Sequence, residues 1–159
     1  TKVGYMPGRF SLYQDLSVEE NLQFFATVFH TTIQENYDLV KDIYQQIEPF
    51  KKRRAGALSG GMKQKLAIIS AWLHEPQLII MDEPFVGLDP KASHLLKEMM
   101  REFCDNGGAI FFSTHVLEVA EKLCDKVAII KGGKLIRQGT MDEVKGDESL
   151  EDVFLELEE

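Results

Sequence analysis

The chain has 159 residues, of which 44% are hydrophobic, and this is enough for one packed domain. Its formal net charge of -8 argues against broad nucleic-acid affinity, which depends on clustered Lys and Arg. No apolar run is long enough to span a bilayer. Two cysteines, Cys104 and Cys124, lack C-x-x-C spacing, so neither a zinc site nor a redox pair is indicated.

Three helices are predicted in the first half of the chain. A capping box at residues 17–20 begins the first, and an apolar series from Val40 to Ile47 marks the second, which Pro49 ends. The third begins at the N-cap Ser59. Its apolar face is formed by Met62, Leu66, Ile69 and Leu73. Together these helices predict a helical subdomain over about residues 11–74.

A buried strand that ends in two carboxylates follows the third helix. The apolar residues 78–81 lead directly into Asp82 and Glu83. In open α/β sheets ligands bind at the carboxyl ends of the strands. Ionised side chains avoid burial unless a cation or a hydrogen-bond donor pairs with them. A magnesium ion and a water molecule would meet both requirements.

The third helix opens with the tripeptide Ser59-Gly60-Gly61. With two glycines in the first turn, no Cβ shields the unpaired amides, so an anion can approach the backbone and the positive end of the helix dipole. By itself such a tripeptide is more often a flexible turn, and that alternative stays open.

Strands and helices alternate through the second half of the chain. Asp89 is the predicted N-cap of a helix with Pro90 at its first position, and Ser149 is the predicted cap of the last helix. The predicted strands are residues 109–113 and a β-hairpin of residues 127–130 and 134–137. The expected fold class is α/β, with a mainly parallel sheet flanked by helices.

Four segments, in this order, resemble the nucleotide-binding domain of ATP-binding cassette (ABC) transporters over nearly the whole chain. Residues 58–64 are similar to the signature loop, 78–83 to the Walker B strand, 87–90 to the D-loop and 113–115 to the switch-histidine segment. The resemblance implies an incomplete fold of the P-loop NTPase type. The carboxy-terminal residues resemble cassettes of bacterial exporter-type systems.

The resemblance implies a role for each motif residue. Asp82 would hold Mg²⁺, Glu83 would polarise the attacking water, and His115 would contact the γ-phosphate of ATP. Signature residues bind the ATP held by an opposing cassette, so Ser59, Gly60 and Gly61 would act across a dimer. Asp89 would lie at the same interface, although its capping role alone could explain an aspartate before Pro90.

The family also implies partners. These are ATP and Mg²⁺, a second nucleotide-binding domain, and a transmembrane permease that would hold the protein at the cytoplasmic face of the inner membrane; no nucleic acid is expected. Phe10, Leu12 and Tyr13 form an expected exposed hinge where the permease docks. Ordinary core packing of these three residues is the alternative.

The chain departs from the family pattern at two places. The phosphate-binding pattern G-x-x-x-x-G-K-S/T does not occur, which predicts a carboxy-terminal portion of a cassette, inactive alone. Gly8 stands where the family carries the glutamine of its Q-loop, and Gln14 is either a substitute or an ordinary exposed glutamine. A degenerate cassette that serves as an interaction or regulatory module is the second hypothesis.

This interpretation treats residues 1–159 as a single partial domain. The helical and signature part covers about residues 11–74. A core with the Walker B, D-loop and switch-histidine segments covers about residues 75–139, and carboxy-terminal helices cover residues 140–159.

Overall fold

The computed structural model describes residues 2–9 and 12–158. The chain divides after Ser113 into two compact units, which are described separately. The predicted hinge residue Phe10 lies outside the described residues.

A parallel three-stranded sheet forms the centre of the first unit. Its strands are β1 (Val3–Met6), β2 (Leu78–Asp82) and β3 (Ala109–Ser113), in the order β1-β2-β3. The middle strand β2 buries Ile79 and Met81 and pairs on both sides, so its last residue, Asp82, lies opposite Ser113 of β3. The predicted parallel sheet and the bounds of β2 and β3 are therefore confirmed.

Four α-helices occur in the described residues of the first unit. They are α1 (Val18–Val28), α2 (Tyr37–Tyr44), α3 (Gly60–Trp72) and α4 (Pro90–Asp105). Short 3₁₀ turns at Glu48–Phe50 and Ala55–Ala57 connect α2 to α3. The core side chains that these helices bury completely include Leu22, Ile43, Leu66, Ile68, Ile69 and Leu96.

The predicted capping box at α1 is present with both of its hydrogen bonds. The Ser17 hydroxyl accepts from the Glu20 amide at 3.1 Å, and the Ser17 amide donates to the Glu20 carboxylate at 2.7 Å. Two of the amides that the start of a helix leaves unpaired are satisfied in this way.

Three features of the first unit differ from the sequence prediction. Helix α2 ends at Tyr44 rather than near Pro49, although Ile47 is still fully buried. Leu12 is buried at 8% exposure, so the expectation of an exposed hinge is wrong for this residue, whereas Tyr13 is 52% exposed. Strand β1 has no counterpart in the prediction. Part of its support comes from buried His74, whose Nε2 lies 2.9 Å from the Val3 carbonyl oxygen.

Over residues 114–158, the second unit is a β-hairpin with three short helices. The hairpin pairs β4 (Lys126–Lys131) with β5 (Lys134–Thr140) in antiparallel fashion, as predicted. The helices are α5 (Leu117–Leu123), α6 (Met141–Lys145) and α7 (Leu150–Glu156), and Ser149 caps α7 as expected. Their common core consists of Ala120, Ile129, Met141, Val144, Leu150 and Val153. Within the described part of the chain, no helix is both long and apolar enough to cross a membrane.

Candidate functional site

The two predicted catalytic carboxylates lie at the carboxyl end of the central strand. Asp82 is the last residue of β2 and is exposed, and Glu83 follows it with half-buried accessibility. Glu83 has a φ of +49°, in the left-handed region that costs a non-glycine residue about 1–2 kcal/mol. The surrounding contacts must therefore hold this conformation in place.

Ser113 of the neighbouring strand bonds to both acidic residues. Its hydroxyl donates to Asp82 Oδ1 and accepts from the Glu83 amide at 3.1 Å. The same amide lies 3.2 Å from the Ser113 carbonyl oxygen. The end of β3 thus orients the Asp82 carboxylate and anchors the backbone amide of Glu83.

The environment of Asp82 fits a magnesium ion. A Cβ built on Gly8 would lie only 3.0 Å from Asp82 Cγ, so the backbone at this position lies directly beside the carboxylate and only glycine fits there. No cluster of three or more His, Cys, Asp or Glu able to hold a metal occurs among the described residues. A single carboxylate suits Mg²⁺, which keeps several waters and takes its other ligands from substrate phosphates.

The glycine-rich start of α3 offers backbone amides to an anion. The Ser59 hydroxyl accepts from the Met62 amide at 3.2 Å, which confirms Ser59 as the N-cap. A Cβ on Gly60 would meet no atom within 4 Å, so the space beside this turn is open. A Cβ on Gly61 would lie 2.9 Å from the Gly87 carbonyl oxygen, so only glycine allows this close approach.

Two further side chains of α3 tie it to the loop after β2. Gln64 Nε2 donates to the carbonyl oxygens of Glu83 at 3.2 Å and Pro84 at 2.9 Å. Lys65, which is only 9% exposed, places its Nζ 3.2 Å from Asp89 Oδ2. The glycine turn of α3, the acidic pair and Asp89 therefore lie close together within the first unit.

Asp89 performs a capping role and an electrostatic role together. Its Oδ1 accepts from the Ala92 amide at 2.8 Å, which confirms it as the N-cap of α4. The hydrogen bond from Ala92 and the pairing with Lys65 hold the pKa of the Asp89 carboxyl below its usual range. The Asp89 carboxylate is thereby kept ionised, and its negative charge interacts favourably with the positive end of the α4 dipole.

His115 belongs to the second unit, two residues beyond the end of β3. It is exposed, and the neighbouring Val116 amide donates to Thr114 Oγ1 at 3.0 Å. The predicted contact between His115 and the γ-phosphate therefore stays a prediction.

The sequence motifs predict no individual role for Gln64, Lys65 or Ser113. Gln64 bonds to a backbone 19 residues away, and Ser113 to one 30 residues away, so no local pattern reveals either contact. Lys65 directly follows the polar residues Lys63 and Gln64, so the local sequence does not mark it as buried; once the fold buries it, pairing is expected because buried lysines are almost always paired.

Comparison with known proteins places this site in a family. The sequence profile of ABC transporters matches residues 1–86. A Nod factor export ATP-binding protein I of Burkholderia lata is 37% identical over 140 residues, which cover 87% of this chain and 46% of that protein. The ABC transporter ATP-binding protein YhaQ of Bacillus subtilis is 37% identical over 149 residues, which cover 91% of this chain and 49% of the relative. The chain thus spans about half the length of these curated relatives.

Solved structures agree with the expected fold of the P-loop NTPase type. An ATP-binding subunit of an ABC transporter superposes with a TM-score of 0.91 at 34% identity, covering 99% of this chain and 69% of that one. A dimeric ATP-binding cassette in a post-hydrolysis state, bound to ADP and Pi, has a TM-score of 0.75 at 22% identity, with 88% of this chain and 63% of that chain covered, and supports the fold alone. The motifs, the sheet that carries them and these matches together show that the chain belongs to the ABC transporter family.

Proposed function

We propose that the chain is part of an ATP-hydrolysing subunit that powers transport through a membrane permease. The observation that carries this proposal is the placement of Asp82 and Glu83 at the end of the central strand, beside the glycine turn of α3. The acidic pair and the signature segment are separate in the sequence but lie close together in the fold.

Each residue has a defined task in this proposal. Asp82 holds Mg²⁺, which offsets charge on the phosphate oxygens when it is bound. Glu83 orients and polarises the attacking water, a contribution that is typically ~10²–10⁴ in rate. His115 donates to the γ-phosphate as its charge redistributes.

The glycine turn of α3 acts on the ATP of a second cassette in this proposal. Ser59, Gly60 and Gly61 offer a hydroxyl and unshielded amides at a helix N-terminus, which suits a phosphate held by a partner. Asp89, anchored to Lys65 of the same helix, lies at the same dimer interface. The permease would hold the dimer at the cytoplasmic face of the inner membrane.

The experiment compares the 159-residue chain with an extended protein, which is this chain together with the preceding residues of its source reading frame. We expect magnesium-dependent ATP turnover in the extended protein and none in the chain alone, because the pattern G-x-x-x-x-G-K-S/T is absent from these residues. Glu83→Gln should abolish the turnover, whereas Glu75→Gln, on the exposed turn before β2, should preserve it.

The alternative is a degenerate cassette that binds a partner without hydrolysing nucleotide. Gly8 in the position of the Q-loop glutamine favours it, since the side chain that touches the magnesium site in the family is missing. Magnesium-independent nucleotide binding with no turnover in the extended protein would support this alternative and overturn the hydrolytic proposal.

A further inference from the structure

The backbone of Glu83 lies in a conformation that non-glycine residues rarely adopt. Its φ of +49° follows directly on the extended residue Asp82, so the chain changes direction between the two carboxylates. The direction in which the Glu83 side chain leaves the sheet depends on this turn. Contacts that maintain the turn therefore also determine where a catalytic carboxylate can lie.

Ser113 supports this turn from the side of the sheet. Its hydroxyl accepts from the Glu83 amide at 3.1 Å and donates to Asp82 Oδ1, so one oxygen atom joins the two acidic residues. The register pairs Asp82 with Ser113, which places the hydroxyl directly across from the metal-binding candidate. A hydrogen-bonded partner of this kind orients a ligating carboxylate.

Gln64 supports the turn from the side of helix α3. Its Nε2 donates to the Glu83 carbonyl oxygen at 3.2 Å and to the Pro84 carbonyl oxygen at 2.9 Å. The Glu83 carbonyl also accepts from the Val86 amide at 3.2 Å. Both polar groups of the Glu83 peptide are thus bonded, the amide by β3 and the carbonyl by α3.

We propose that Ser113 and Gln64 are positioning residues that hold the Glu83 turn between the sheet and the signature helix. This inference rests on the proposed function, because it gives the turn a role in ATP hydrolysis. It adds that the geometry of the acidic pair depends on a serine hydroxyl and a glutamine amide that bond to the acidic residues and to the backbone that follows them.

The first test uses Ser113 in the extended protein. Ser113→Ala should lower kcat by ~10-fold or more, since small misplacements of a catalytic group are costly, while KM for ATP, measured at saturating Mg²⁺, stays within about twofold. Ser113→Thr keeps the hydroxyl and should restore most of kcat. Ser93→Ala, on helix α4, is the matched control and should leave kcat unchanged. Ser113 is exposed, so its removal should leave the melting temperature close to that of the wild type.

The second readout does not depend on turnover. In the Glu83→Gln background, Mn²⁺ binding in the presence of ATP is measured by electron paramagnetic resonance. Ser113→Ala should weaken it by about 10- to 100-fold, because a partner that orients the ligating Asp82 is lost. Gln64→Leu, which removes only the contacts to the backbone after Asp82, should leave Mn²⁺ binding in this background close to its original strength. In the extended protein with Glu83 intact, the same substitution should lower kcat. Gln77→Leu, in the exposed turn before β2, is its control.

The outcomes separate the two proposals. If Glu83→Gln retains the wild-type kcat, the proposed function is overturned. If Glu83→Gln abolishes turnover but Ser113→Ala and Gln64→Leu match the wild type in kcat and Mn²⁺ binding, only the positioning role is overturned.

Discussion

Lys65 and Asp89 form an ion pair in which the lysine is almost fully removed from water. The Lys65 side chain is 11% exposed and the Asp89 side chain 54%, with 3.2 Å between Nζ and Oδ2. Removing one partner of such a pair leaves the other charge without compensation. Asp89 therefore stabilises both the start of α4 and the interior position of a lysine on α3.

This arrangement predicts a pH-dependent stability difference for Asp89→Asn. Asparagine caps a helix as well as aspartate does, so the variant loses the ion pair and retains the cap. Because folding lowers the pKa of Asp89, its contribution is complete above the unfolded value of about 4 and disappears as the pH falls through the folded value.

The measurement is the melting temperature of the wild type and of Asp89→Asn between neutral and acidic pH. We expect the wild type to be the more stable at pH 7 and the two curves to converge at the acidic end. Asp105→Asn, at the other end of α4, is the control. A stability difference between wild type and Asp89→Asn that stayed constant down to the acidic end would contradict the ion-pair explanation.

Helix N-termini contribute both to the stability of the fold and to the proposed function. Ser17, Ser59, Asp89 and Ser149 each accept an amide from the first turn of their helix, and all four caps follow from the sequence. N-caps can be predicted from the sequence because the side chain that accepts the hydrogen bond is only three residues from the amide that donates it. Among these four, only Ser59 precedes two glycines.

Substitutions at two N-cap residues distinguish the effect of a cap on protein stability from its effect on ATP turnover. Ser59→Ala and Ser17→Ala should each destabilise the chain by about 1 kcal/mol, because each leaves a first-turn amide unpaired. In the extended protein only Ser59→Ala should also lower ATP turnover, since Ser17 begins a helix without a glycine turn. Urea unfolding and steady-state kinetics measure the two effects. Equal loss of turnover in both variants would show that Ser59 acts only as a cap.

Longer-range features of the elements could not be predicted in the same way. Strand β1 has four residues, one of them a glycine, and is held in part by pairing with β2, 75 residues later in the register. Helix α2 ends at Tyr44, five residues before Pro49, although Ile47 beyond its end is fully buried. The contacts of Gln64 and Lys65 likewise depend on the fold, although the signature segment, residues 58–64, that contains Gln64 was recognised from the sequence.

The whole molecule consists of two compact units, and their boundary in the sequence falls between Ser113 and Thr114. The first unit contains the acidic pair, the signature turn and Asp89, and the second begins just before His115. Curated relatives are about twice as long, since the matched regions cover 46% and 49% of two of them. The proposed activity is therefore a property to be tested in the extended protein.

The most direct test of the account is the kcat of ATP hydrolysis by the extended protein with and without Glu83→Gln. We predict a decrease of ~10²–10⁴-fold with ATP affinity retained, because the substitution removes the base and keeps the shape of the side chain. A Glu83→Gln variant that hydrolyses ATP at the wild-type rate would contradict the central claim that this carboxylate activates the attacking water.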